Sequence, residues 1–170
     1  MSDHQHLDAG IRDFLQGAFS GSAPHFDRYV AEHVRCWGFP EFDPRHRGEY
    51  LAFFNFLLDV FAEPEWSIEQ LHTSESEAVV CLRIEGIHHE EFMGLPATQC
   101  RLALRARLLF VLRDGLITET WMYEKTVKLT TTKGKCFELQ PAVATAPLFR
   151  PVAFAAREQH TPTARLRVAQ

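Results

Sequence analysis

The chain has no closely spaced cysteine pair, so it offers neither a metal knuckle nor a dithiol redox motif. Its four cysteines, Cys36, Cys81, Cys100 and Cys136, form no Cys-x-x-Cys. Three lie in apolar, strand-like runs, where reduced and buried thiols acting as small hydrophobes are expected. Histidines are numerous, yet none shows His-x-His or His-x-x-x-His spacing apart from His4-x-His6. No structural or catalytic metal site is therefore expected. A Gly-rich phosphate loop, a Ser nucleophile elbow and a dinucleotide fingerprint are all missing, and no cofactor is expected. Positive charge is not in excess. A net charge of −4 gives no global attraction to nucleic acid or to an anionic membrane. Apolar runs fall far short of a membrane span, and the polar start Met-Ser-Asp-His lacks an export segment, so a cytoplasmic protein is expected.

What is abundant is aromatic and aliphatic surface. Hydrophobic residues make up 46% of 170 residues, and phenylalanine occurs 14 times. That suffices for one domain with a sizeable core and an aromatic-lined cavity. Leu7, Ile11, Phe14, Leu15 and Ala18 form one helical stripe. Ser22-Ala-Pro24 starts a short second helix carrying Phe26, Tyr29 and Val30. A brief strand over 32–38 follows, then a charged connection with Asp43-Pro44 as its turn signal. The third helix, 48–62, has the clearest period: Tyr50, Phe53, Phe54, Leu57, Val60 and Phe61 recur at helical spacing, with Pro64 limiting it. Its apolar arc is broad enough to pack inside a curved sheet.

From Trp66 onward the runs are strand-like: 66–72, 78–88, 100–113 and 116–128, with one further short strand at 136–139. Asp114-Gly115 between two apolar runs is a hairpin signal. Helices first and strands afterwards indicate an α+β fold with an antiparallel sheet. The domain is expected to span 1–133. The segment 134–170, rich in Ala, Pro, Thr and Arg after Pro141, is expected to be a poorly ordered or inter-subunit extension.

Two stretches carry a family resemblance: Gly86-Ile-His-His-Glu-Glu-Phe-Met-Gly-Leu-Pro-Ala-Thr98, and Asp114-Gly115-Leu-Ile-Thr-Glu-Thr-Trp121-Met-Tyr-Glu124. Over about residues 26–127 the chain resembles the SnoaL-like polyketide cyclases of the nuclear-transport-factor-2-like superfamily. The resemblance implies a strongly curved sheet wrapped around three N-terminal helices, forming a cone with an interior pocket. It also implies metal-free chemistry and homodimers paired through the outer sheet faces.

In that family an aspartate shortly after the tryptophan of the last strand pair is the catalytic acid/base; at the matching place this chain offers Glu124. A carboxylate desolvated in an apolar cavity is a competent base toward a carbon acid. The competing reading is a surface pair with Lys125 or Arg113. Counting by twos, His88 ends the apolar face Val80, Leu82, Ile84 and Gly86. There it would donate a hydrogen bond to a developing oxyanion, or it is simply satisfied by a backbone carbonyl. The strand 100–113 lacks the histidine that characterised cyclases carry. It has Arg101, Arg105 and Arg107 on one face, either solvated or with Arg107 or Arg105 reaching an anionic substrate. Trp37, Phe54, Leu57, Phe92 and Met122 are the expected ligand-contacting walls, core packing being the alternative for each.

The function expected from these residues is cofactor-independent proton abstraction α to a carbonyl of a small hydrophobic or aromatic compound, as in a polyketide or ester cyclase or an isomerase. The alternative is a non-catalytic ligand-binding or dimerisation module on the same fold. A buried Glu124 beside an open pocket would favour the enzyme; a filled pocket would favour the module.

Overall fold

A computed structural model describes residues 3–139. Three helices, α1 (Asp3–Ala18), α2 (Ala23–Tyr29) and α3 (Arg47–Val60), lie against one face of a sheet of six strands. The strands are β1 (Val30–Trp37), β2 (Phe61–Thr73), β3 (Glu77–His88), β4 (Arg101–Arg113), β5 (Leu116–Thr130) and β6 (Cys136–Leu139). Their order is β1-β5-β4-β3-β2, with β6 pairing to β5. The sheet is curved and unclosed, as in the α+β fold of the nuclear-transport-factor-2-like proteins.

One strand pair corrects the expectation of an antiparallel sheet: β1 runs parallel to β5. It enters the sheet before α3, and the chain returns to it only through β5 running in the same direction. The sheet is therefore mixed. Strand β5 meets β1 from Ile117 to Trp121 and β6 from Val127 to Thr130. The sheet thus continues past residue 133, where the domain was expected to end. The remainder of the expected extension, 140–170, lies outside the described residues.

Helix α3 folds as its apolar period requires. Tyr50, Phe53, Phe54, Leu57 and Val60 are all buried, and the His46 ring caps its start by accepting from Gly48 N at 3.0 Å. The helix stops at Val60, earlier than Pro64 suggested. Pro64 lies inside the edge strand β2 instead, where the register slips between Ala62 and Glu65. A residue without an N–H is tolerated in a strand at such an edge irregularity. Phe14 of α1 ties the layers together through ring contacts with Phe26, Tyr29, Tyr50, Phe54 and Phe110. Full burial of such a ring contributes about 1.5–3 kcal/mol. Asp114 (φ 51°) and Gly115 (φ 77°) supply the two left-handed residues of the β4–β5 hairpin.

Candidate functional site

The inner faces of β3, β4 and β5 and the helices enclose a cavity of about 20 Å³, room for about one water molecule. Four phenylalanines (Phe19, Phe39, Phe53 and Phe54), together with Leu57, Met122 and aliphatic residues of β3 and β4, form its wall, which is entirely apolar. Edge-to-face contacts of Phe53 with Phe39 and of Phe54 with Phe19 fill what would otherwise be a larger pocket. Of the expected wall residues, the structure brings Phe54, Leu57 and Met122 together here.

The others lie elsewhere. Trp37 stacks on Trp121 at 4.1 Å between ring centroids, in a separate cluster with Val79 and Leu109 on the sheet face away from the helices. Phe92 is buried against Phe56 and Phe61 rather than on the cavity wall. Arg107 places its Nε 3.4 Å from Glu124 Oε2 and 3.3 Å from Cys81 Sγ, again on the outer face. Arg101 and Arg105 pair with Glu85 and Glu69 there. The arginine face is the polar outside of the sheet.

Glu124 is therefore on the opposite side of the sheet from the cavity, with 49% of its side chain exposed. The cause is a single bulge in β5. Leu108 pairs with Met122, but Arg107 pairs with Glu124, so Tyr123 is the extra residue. Strict alternation from Met122 would aim Glu124 inward; the inserted residue sends it outward and turns Lys125 toward the interior face, opposite Ala106. Lys125 is half-buried and donates to the Gly38 carbonyl. Burial lowers its pKa, and Asp43 acts in the opposite direction. The sequence offers no cue for this, because a bulge without glycine looks like any other strand residue.

His88 is fully buried. Its Nδ1 lies 3.0 Å from Thr98 Oγ1, while Nε2 meets no partner among the described residues. An unpaired buried polar group costs about 1–3 kcal/mol. Burial pulls the His88 pKa down, against a weaker upward influence of the Glu90 backbone, so the ring is neutral at neutral pH. It stands at the end of β3 opposite Phe61 and does not line the cavity.

A third polar group escaped sequence reasoning: Tyr50 donates to Thr120 Oγ1 at 3.1 Å inside the core, next to the Cys36 thiol. Burial raises both the Tyr50 and the Cys36 pKa well above their ordinary values, so both stay protonated. Cys36 and Cys81 are buried, whereas Cys100 is half-buried and Cys136 exposed. The exposure of Cys136 follows from its place on the short β6. Among the described residues, no group of three or more His, Cys, Asp or Glu is placed to hold a metal ion, and no helix is long and apolar enough to cross a membrane.

Comparison with known proteins agrees with this architecture. A family model described as SnoaL-like polyketide cyclase matches residues 10–132. A protein from Jannaschia sp. CCS1, provisionally assigned as a SnoaL-like polyketide cyclase, superposes with a TM-score of 0.63 at 16% identity, over 72% of this chain and 88% of that one. A SnoaL-like polyketide cyclase from Agrobacterium tumefaciens gives 0.60 at 15% identity, over 68% and 88%. TsrD from Streptomyces laurentii gives 0.59 at 18% identity, over 69% and 88%. Among curated proteins no sequence match is found.

Proposed function

Because this chain belongs to the SnoaL-like polyketide cyclase family, we propose that it uses the family's fold as a small-molecule-binding and dimerisation module, holding a compact hydrophobic carbonyl compound. The observation that carries this reading is the contrast between the two sheet faces. The interior is apolar and nearly filled, while Glu124, the carboxylate best suited by sequence to be a base, is ion-paired and half-exposed outside. A carboxylate in contact with water keeps its solvation, and with it loses the desolvation that would make it a strong base. Ligand admission requires the phenylalanine side chains to rotate, since the cavity as it stands has room for about one water.

The same reading places the pairing of two copies on the outer face of the sheet, where half-buried Trp37 covers Val79, Leu109 and Trp121. Native mass spectrometry of the purified chain tests the ligand reading, with a compact hydrophobic compound retained equally by the wild type and Glu124→Gln as the expected result. Loss of the ligand, or of any turnover of it, in Glu124→Gln would return the carboxylate to the centre of the function.

A second reading, cyclase-type catalysis, is favoured by one observation: His88 is neutral and fully buried, and its Nε2, although away from the cavity wall, meets no partner among the described residues. Such a nitrogen can donate to a developing oxyanion. His88→Ala separates the readings, because under catalysis turnover falls about a hundredfold or more while ligand retention persists.

A further inference from the structure

The bulge at Tyr123 does more than remove a carboxylate from the interior. It turns a cation to the interior face of the sheet, opposite Ala106 of the cavity wall. Strand β5 is flanked by β1 as far as Trp121 and by β6 from Val127 onward. Between those points, no strand among the described residues covers that edge of β5. Gly38, at the end of β1, lies against the gap, with Lys125 donating to its carbonyl. The neighbours of Lys125 belong to the cavity wall: Ala106 is its partner across β4, and Phe39 follows Gly38.

An ammonium has three donors. Among the described residues, Lys125 meets one acceptor, the Gly38 carbonyl. Asp43, whose charge reaches Lys125, uses its Oδ1 to accept from Phe39 N at 3.0 Å. Water accepts from the remaining donors only on the open side of a half-buried position. A cation with donors to spare, next to residues that wall an apolar void, suits an amphipathic anion. The two arginines expected to meet such an anion, Arg105 and Arg107, are on the other face and already paired with Glu69 and Glu124.

We propose that Lys125 is the anion-binding end of the interior cavity and that the ligand is a compact hydrophobic carboxylate, its oxygens on the ammonium and its apolar body among Phe39, Phe53, Phe54 and Leu57. This rests on the ligand-binding reading above. Charge-assisted hydrogen bonds are about twice as strong as neutral ones, and the low polarity of the surrounding wall strengthens them further. A neutral isostere of the same shape gains the apolar contacts but not this term.

The test is a titration of the full chain with benzoate and, separately, with benzamide, followed by two-dimensional NMR. Benzoate is expected to bind about tenfold or more tightly than benzamide. In Lys125→Met that preference disappears while benzamide affinity is kept; in Lys125→Arg a preference for the acid remains. Should Lys125→Met fail to fold, Lys125→Gln, which keeps the polar donor and removes the charge, gives the same comparison. Equal affinity for acid and amide, or a preference that survives removal of the charge, overturns the assignment of Lys125 and leaves the ligand-binding reading standing. Binding of neither compound overturns both.

Discussion

Gly38→Ala gives the most direct measure of how the end of β1 is seated on β5. Gly38 has φ +73°, and a Cβ placed there would press into the Met122 carbonyl oxygen, well inside van der Waals contact. Two costs follow. An L-residue forced into the left-handed region loses about 1–2 kcal/mol, and overpacking against rigid backbone adds about 1–3 kcal/mol. Together these amount to about 2–5 kcal/mol, a large part of the roughly 5–15 kcal/mol that stabilises a typical domain. Gly94→Ala is the matched control. Its φ is +75°, but nothing lies within 4 Å of the added methyl, so the conformational cost of about 1–2 kcal/mol stands alone. Urea denaturation followed by tryptophan fluorescence reads the difference at the right place, since Trp37 precedes Gly38 and stacks on Trp121. The expected result is a midpoint for Gly38→Ala clearly below that of Gly94→Ala. Unfolding free energies within about 0.5 kcal/mol of each other, a range typical of inconsequential surface changes, would show that β1 does not press on Met122 and would undo the account of the gap beside Lys125.

Tyr50→Phe removes the buried donor to Thr120 and is expected to lower unfolding free energy by about 0.5–1.5 kcal/mol, with no change in the denaturant slope; a neutral change would mean the bond is not formed. His88 has a folded pKa below its ordinary 6.5. The unfolded chain therefore binds the proton more readily, and the stability due to the neutral ring is full above about pH 6.5 and declines as pH falls toward the folded value. Denaturation midpoints at pH 7.5 and 5.5 should differ more in the wild type than in His88→Gln; an equal loss in both would assign the acid sensitivity to other groups. Light scattering is expected to give a homodimer, and Trp37→Arg on the outer face to weaken it; a wild-type monomer at micromolar concentration would remove the dimerisation half of the proposed function.

Much of the fold was legible because it depends on local rules. The period of Tyr50, Phe53, Phe54 and Leu57 placed α3, and Asp114-Gly115 placed the β4–β5 turn, since only certain residues accept the backbone angles found there. Pro64 was a weaker guide. It marked the end of a helix that had already stopped and was absorbed by an irregular edge strand. The parallel pairing of β1 was not legible at all, because nothing in Val30–Trp37 records which distant strand it will meet.

The site divides along the same line. By itself, the sequence determined the helices, the hairpins, the alternating apolar faces of β3 and β4, and a family whose fold follows from them. Tertiary structure alone decided which of Glu124 and Lys125 is turned to the interior side of the sheet. Side-chain direction in a strand has a period of two, so a single inserted residue reverses everything after it. Whether Tyr123 is inserted depends on how β5 sits against β4, in a contact between residues far apart in the chain.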